Sequence, residues 1–367
     1  VEFRISKEIF AKALQKVQGI VEKRNTMPIL SNVLIEALDD RIEITATDLE
    51  VGMKSSYPTE VMSAGKITVS AKKLYEIIKE LPDESISFST RENDWLQIRC
   101  GKAQFNIVGL SPDEFPYFPR INEETLVKIE AGMLGGMIEK ISYAVCHDET
   151  KYNLNGVFVH GTTALKMVAT DGHRLAIIEK PVNGTLPDVL AKGVIFPRKG
   201  IFELKKMVEE EKEEVLLGFM DNNAVVKKGN TTIVMRLVDG EFPDYNRVIP
   251  AGNDKEIRFR REPMLHSLRR MAILSSEKYK GIKLETRGGL LEISSSNPEL
   301  GEASEEVEVS MDDFSVNVRF NARYLIDVLS ICDDEEMLLK LRDELSPALV
   351  TPVTGSDFMA VIMPMRL

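Results

Sequence analysis

Apolar residues recur at helical spacing in six places along the chain, and the six fall into three pairs. ISKEIFAKALQKV from Ile5, IEAGMLGGMIEKISYAV from Ile129 and FRREPMLHSLRRMAIL from Phe259 predict the first helix of each pair. VSAKKLYEIIKEL from Val69, FPRKGIFELKKMVEE from Phe196 and FNARYLIDVLSIC from Phe320 predict the second. Ser6, Ser70 and Asn321 stand where N-caps belong, since a short side-chain oxygen can accept from a first-turn N–H, and Pro263 suits a first helical turn. Between the helices, RIEITATDLEVGMKSSY, ISFSTRENDWLQIRC, KAQFNIVGL, EVLLGFMDNNAVVKK and NTTIVMRLV alternate with period two and are broken by Asn, Asp and Gly. Such runs predict antiparallel strands joined by hairpins.

The three pairs are spaced about 125 residues apart, and a turn phrase repeats with them: TATDLE from Thr45, VATDGHRLA from Val168 and ISSSNPELGEA from Ile293. The chain therefore reads as three α+β units built by repetition. Two aromatic-proline segments, LSPDEFPYFP and LVDGEFPDYNRVIP, end at Pro119 and Pro250. Proline there stops ladder pairing, which sets the expected domains at 1–122, 127–250 and 251–367. The last unit ends in MAVIMPMRL, an apolar stretch that predicts a closing strand and not a linker.

At 367 residues the chain exceeds what one core usually serves, whereas three domains of this size each bury their own. The apolar runs fall short of a bilayer span, and VEFRISKEIF has no basic stretch followed by an apolar one, so neither a membrane segment nor a leader is expected and the cytoplasm is the expected compartment. Three cysteines without CxxC spacing, Cys100, Cys146 and Cys332, predict reduced thiols. A net charge of −11 argues against a protein that coats nucleic acid electrostatically. Yet the six helical segments, taken as 6–18, 70–80, 131–146, 197–212, 258–271 and 320–331, together carry +8. Were they to share one surface, it could face a polyanion; Lys and Arg are equally at home on any solvated helix face.

Catalytic and cofactor signatures are sparse. His147, His160, His173 and His266 are scattered, which predicts no metal site, and no GxxxxGK[ST] or clear GxGxxG predicts a phosphate loop, so no cofactor is expected. Asp171, His173 and Arg174 in TDGHRLA have an acid–base flavour but no partner nucleophile, and Asp48 occupies the related place in TATDLE without a histidine. Asp-Gly is first of all a turn dipeptide. The stretch HDETKYNLNGVF from His147 offers Lys151 and Tyr152 to a nucleic-acid backbone, or is simply a helix-to-strand connection; Arg24 lies in the corresponding connection of the first unit.

Taken together, NTMPILSNVLIEA, TATDLE, YNLNGV, VATDGHRLA, PRKGIFEL, LVDGEFPDYNRVIP, SSSNPE and the terminal MPMRL resemble the bacterial sliding clamps, the beta subunits of DNA polymerase III, over the whole chain and in order. The resemblance implies a non-catalytic processivity factor: a head-to-tail homodimeric ring of three clamp domains per chain, helices lining the hole and antiparallel sheets outside. It implies double-stranded DNA as a sequence-independent partner. A short-motif pocket would dock the polymerase alpha subunit, the clamp-loader delta subunit and repair proteins. A ring holds DNA by topology, so a weakly positive lining suffices, and contacts without base readout permit sliding.

By this resemblance Arg24, Lys72, His147, Lys151, Tyr152 and Lys199 would face DNA, with Asn153 in place of a second aromatic. The peptide pocket would comprise Leu154, Thr170, Gly172, His173, Arg174, Leu175, Pro243, Arg247, Val248, Val361, Ile362, Met363, Pro364, Met365 and Arg366. Apolar and Met side chains suit an adaptable cleft, with Arg174 and Arg247 to orient a peptide backbone or carboxylate. Ring closure would use Phe105, Ile273 and Leu274, with Lys73, Arg99 and Lys102 facing Glu302, Glu305 and Glu306. Two rival readings stay open: a hydrolase using Asp171 and His173, and a peptide-binding scaffold that encircles nothing.

Overall fold

A computed structural model describes residues 1–21, 27–209, 213–274, 281–287, 289–355 and 357–365. The six expected helices are α1 (Lys7–Val17), α2 (Ala71–Glu80), α3 (Ala131–Ser142), α5 (Arg198–Met207), α6 (Arg261–Met271) and α7 (Ala322–Ile331); α4 (Val189–Lys192) is a single turn too short to leave a periodic signal. The caps are where the sequence puts them. Ser6 Oγ accepts from Ile9 N at 3.4 Å, Ser70 Oγ from Lys73 N at 3.4 Å and Asn321 Oδ1 from Arg323 N at 3.0 Å. Each satisfies an N–H that the helix itself leaves orphaned, an effect of about 1 kcal/mol. Pro263 falls in the first turn of α6.

Packing divides the chain into two compact units, Val1–Gly132 with Lys199–Leu237 and Met133–Arg198 with Val238–Leu367. In the first, antiparallel strands run in the order Val127–Glu130, Glu214–Met220, Asn223–Lys228, Thr231–Arg236, Val51–Pro58, Arg41–Thr47 and Asn32–Ala37. The sheet continues through Gly65–Ser70, Ala103–Leu110, Trp95–Cys100, Ser85–Thr90, Glu2–Ser6 and Glu60–Ser63. In the second unit the order is Val194–Pro197, Gly156–His160, Ala164–Thr170, Arg174–Pro181, Phe358–Ile362 and Ala348–Pro352. It continues through Glu336–Leu341, Lys255–Arg260, Gly301–Met311, Leu290–Asn297, Gly281–Arg287 and Asn317–Asn321.

These units do not follow the sequence repeats, and the strand ladders show why. Thr231–Arg236, the last strand of the second repeat, pairs with Val51–Pro58 of the first, from Thr231 opposite Ser55 to Met235 opposite Val51. The last strand of the third repeat, Phe358–Ile362, pairs in the same way with Arg174–Pro181 of the second, Arg174 lying opposite Ile362. The apolar tail is thus a core strand: Phe358, Ala360, Val361 and Ile362 are buried while Met363 and Met365 emerge.

Two strands lack the neighbour that this scheme supplies elsewhere. Ala103–Leu110 pairs with Trp95–Cys100 along its length but meets Gly65–Ser70 only at Gly109 and Leu110. Gly301–Met311 pairs with Leu290–Asn297 over Gly301 to Glu308 and with Lys255–Arg260 only from Val309 onward. Among the described residues, one edge of 103–108 and one of 301–308 therefore have no ladder partner.

Each helix lays an apolar stripe on its sheet. In the first repeat, α1 buries Phe10, Ala13, Leu14 and Val17 and α2 buries Ala71, Leu74 and Ile78. Phe88 stacks on Phe3 and tilts against Phe10, both at 4.7 Å between centroids. Full burial of each such ring is worth about 1.5–3 kcal/mol, which is why the alternating strands can hold these helices at all.

Candidate functional site

The repeated turn phrase forms one structure three times. Asp171 Oδ1 accepts from the backbone N–H of His173 at 2.9 Å and of Arg174 at 3.1 Å. Asp48 Oδ1 does the same for Glu50 and Val51 at 2.9 and 2.7 Å. In the third repeat Asn297 Oδ1 accepts from Glu299 N at 3.0 Å. These are Asx turns, which explains the preference for Asp or Asn at that place. In the second repeat Thr170 Oγ1 also accepts from Gly172 N at 3.1 Å and donates to Arg174 O at 2.7 Å, and Gly172 takes φ +92°, a conformation that costs glycine little.

Arg174 leaves this turn inward. Its Nε donates to Asp171 Oδ2 at 3.0 Å and its Nη1 to Asp327 Oδ2 on α7 at 2.6 Å, while Asp327 Oδ1 accepts from Arg323 Nε at 2.8 Å. The guanidinium lies 4.7 Å from the Tyr324 ring centroid and 5.2 Å from that of Tyr143, with 12% of the side chain exposed. Burial opposes its charge, but the hydrogen bonds and charges of Asp327 and Asp171 outweigh that and keep it protonated. With Nε and Nη1 engaged by carboxylates and two tyrosine rings beside the guanidinium, Arg174 braces the turn from within. The acid–base pair fails on geometry: Asp171 holds the backbone N–H of His173, and the imidazole stacks on Tyr324 at 6.5 Å and 21°. Burial also pushes the Tyr143 phenol well above its ordinary range.

The turn holds the tail. His173 O accepts from Met363 N at 2.9 Å, and Arg319 O accepts from Met365 N at 2.8 Å. Below them Leu175 and Val361 form a buried cluster with Val168, Ile177 and Tyr245, against which Phe158, Phe242, Ile249, Leu349 and Met359 pack. Phe158 and Phe242 stack at 5.1 Å, and His160 Nε2 meets Tyr245 Oη at 2.9 Å. Pro243, Arg247 and Val248, like Asp244 and Asn246, are exposed in the segment that supplies Phe242, Tyr245 and Ile249 to this cluster. The Arg247 side chain is 84% exposed and bonded to Asp244 at 3.0 Å. Leu154 and Pro364 are half-buried, Met363 and Met365 exposed, and Ile362 is buried; Arg366 lies outside the described residues. A buried apolar cluster thus lies next in sequence to the exposed Met363, Met365 and Arg247, a composition that suits an apolar peptide.

The candidate DNA-facing residues differ among themselves. Lys72 is exposed on α2, 3.9 Å from Glu76. His147, Lys151 and Tyr152 are exposed in the loop after α3, His147 Nδ1 meeting Arg198 Nη1, and Asn153 Nδ2 braces that loop by donating to Glu241 O at 3.2 Å. Lys199 is partly buried: its Nζ donates to Ile20 O at 2.7 Å and pairs with Asp48. Arg24 lies outside the described residues.

At the open edges, Phe105 and Ile273 are exposed and Leu274 is half-buried, its carbonyl accepting from Asn297 Nδ2 at 2.8 Å. Lys73 pairs with Glu76 at 2.8 Å, Arg99 Nε donates to Gln104 Oε1 at 3.2 Å, and Lys102 is exposed. Glu302 and Glu306 are exposed, whereas Glu305 is held by Arg270 of its own chain. Among the described residues no cluster of His, Cys, Asp and Glu has metal-site geometry, and no helix is long and apolar enough to cross a membrane. All three cysteines are free and buried, burial pushing the Cys332 thiol up to about 12.

Family models for the N-terminal, central and C-terminal domains of the DNA polymerase III beta subunit match residues 1–119, 128–244 and 246–366. The chain belongs to that family. It is 38% identical to the beta sliding clamp of Pseudomonas aeruginosa over 370 residues and 36% identical to that of Caulobacter vibrioides over 375, each alignment covering 100% of both chains. It superposes on the crystal structure of the Pseudomonas aeruginosa clamp bound to griselimycin with a TM-score of 0.93 at 37% identity, covering 100% of this chain and 99% of that one. The α+β architecture of three clamp domains is therefore that of the family.

Within this clamp chain the residues that sequence reasoning missed are Asp327, Tyr143 and Tyr324 around Arg174, and Arg198 beside His147. Asp327 and Arg174 are 153 positions apart, and no local pattern announces such a pair. Arg198 directly precedes Lys199 at the start of α5, so its basic neighbour was the one available signal.

Proposed function

We infer that this chain is a DNA sliding clamp, a binding subunit of the replicative DNA polymerase and not a catalyst, acting as its relatives are named. Two copies close head to tail around duplex DNA, each supplying domains at 1–122, 127–250 and 251–367, with helices toward the DNA and sheets outward. The observation that carries this is the strand bookkeeping. Each junction between consecutive repeats is made by the last strand of one repeat on the strand after the Asx turn of the repeat before it. That rule leaves one pair unmade, the 103–108 edge of the first repeat and the 301–308 edge of the third. A second copy completes both, and a heterologous contact that closes after two chains gives a ring. Phe105, Ile273 and Leu274 supply apolar contact at this seam. Lys73, Arg99 and Lys102 against Glu302, Glu305 and Glu306 set its orientation, since exposed pairs are worth only about 0–1 kcal/mol each.

Duplex DNA is held by topology, with Arg24, Lys72, His147, Lys151, Tyr152 and Lys199 as backbone contacts. Most helix cations described above already have nearby carboxylates, which keeps the number of neutralised phosphates small and the salt dependence shallow. The apolar cluster with Met363, Met365 and Arg247 docks short motifs of the polymerase alpha subunit, the clamp-loader delta subunit and repair proteins in the cytoplasm. Griselimycin, to which the Pseudomonas aeruginosa clamp is bound in its crystal structure, is the ligand we assign to this cluster.

Loading onto nicked circular DNA by a clamp loader, followed by removal of free protein, tests the topology. Protein retained on the circle and lost on linearisation is the expected result. Retention unaffected by cutting would mean binding by contact, and the ring reading would fall.

A further inference from the structure

We propose that Asp327 is a positioning residue of the peptide pocket, setting Met363 in place through Arg174 and the 170–174 turn. The inference rests on the pocket reading above and adds to it a residue on α7, a helix element distinct from the strands and tail that form the pocket.

The path is continuous. Asp327 Oδ2 takes Arg174 Nη1 at 2.6 Å and Asp171 Oδ2 takes its Nε at 3.0 Å, so one guanidinium is clamped between two carboxylates. Asp171 in turn fixes the turn backbone through the N–H groups of His173 and Arg174, and the carbonyl of His173 receives Met363 N at 2.9 Å. Met363 follows the last residue of the closing strand. Beyond that strand, Met363 N bonds to His173 O and Met365 N to Arg319 O, two backbone ties on the described part of the tail. A flexible methionine offers a defined wall only when its backbone is held, so the turn decides where the rim stands.

Asp327 is suited to the task. Its side chain is 16% exposed, and its second oxygen is taken by Arg323, which is 77% exposed and makes only a surface contribution. Removing Asp327 leaves Arg174 one carboxylate short between two tyrosine rings in a low-dielectric setting, where the guanidinium swings toward solvent to recover hydration. The turn follows, since Arg174 is its last residue.

Labelled griselimycin titrated against the full-length wild-type chain and its Asp327→Ala, Asp327→Asn, Arg323→Ala, Met363→Ala and Asp327→Ala/Met363→Ala variants tests this. Asp327→Ala is expected to weaken binding about fivefold, with Asp327→Asn recovering part of the loss because its amide oxygen still accepts from Arg174, and Arg323→Ala leaving affinity unchanged. A residue that acts through Met363 gives non-additive losses: once Met363 is truncated, Asp327→Ala has little left to remove. Additive losses, or an Asp327→Ala variant that folds and binds as wild type, overturn the proposal. Met363→Ala without effect overturns the pocket assignment instead, which separates the two failures. Should Asp327→Ala not fold, the isosteric Asp327→Asn crossed with Met363→Ala decides by the same comparison.

Discussion

Lys199 closes on the carboxylate of Asp48, 151 residues earlier, and on the carbonyl of Ile20 at 2.7 Å. The Asp48 side chain is 6% exposed, and while Oδ1 accepts from the turn backbone, Oδ2 is compensated by this ammonium. Lys199→Ala is expected to cost about 1–3 kcal/mol, the penalty of stranding a buried acceptor, seen as a lower melting temperature. An exposed contact such as Lys72→Ala should weaken DNA retention with no such change. Equal melting temperatures for the two variants would show that Asp48 finds another partner.

The two pocket arginines should separate in the same way. Arg174→Ala leaves Asp171 without its cation and Asp327 with Arg323 alone, and is expected to destabilise the chain by about 2–4 kcal/mol, losing griselimycin binding along with stability. Arg247→Ala, at an 84% exposed side chain, is expected to weaken griselimycin binding with the melting temperature unchanged. A stable Arg174→Ala variant would contradict the brace reading.

The seam has an expected register. Val234 lies opposite Gly52 and Val361 opposite Leu175 in the two junctions inside the chain. Gly301 holds the place of Gly52 and Leu175 after the third Asx turn, each pairing with the last residue of the strand before the turn. Aligning the EFP of residues 114–116 with that of 241–243 puts Ile107 at the place of Val234. Gln104 of one chain then faces Ser304 of the other. Gln104→Cys with Ser304→Cys should give a covalent dimer on mild oxidation, and Val108→Cys with Ser304→Cys should give far less. The reverse yield would rule this register out.

His160 contributes a pH dependence. Burial, then the Lys166 charge, holds its pKa below the ordinary value of 6.5 while its ring nitrogen meets Tyr245. A depressed folded pKa means the unfolded chain takes up the proton first. The stabilisation is therefore complete above the unfolded value and is lost as pH falls from there toward the folded one. His160→Gln should flatten the decline in melting temperature between about pH 7 and 5. A variant as acid-sensitive as wild type would assign that decline to other groups.

Helices, caps and hairpins were legible because each is written locally: Ser6, Ser70 and Asn321 cap within three residues, and the alternating runs need only their own period. The Asx turns were legible as repetition, although their job was not. Reach over long sequence separations was hidden. The clamp of Asp327 and Asp171 on Arg174, and the anchoring of Lys199 by Asp48, join segments 153 and 151 positions apart, and no local pattern announces either. The two-unit packing was hidden for the same reason, since the strands that cross between repeats carry the same alternation as those that stay within one.

The two unpaired strand edges give each chain one sticky end of each kind, which makes it formally a monomer for chain growth. Neither edge by itself sets the number of links; in the proposed ring, the turn from repeat to repeat would have to return the free end of the second chain to the first. A substitution that alters that turn while sparing both edges would not yield loose monomers. It would yield open helical strings of clamp, growing with concentration, in which every seam is intact and no DNA is enclosed.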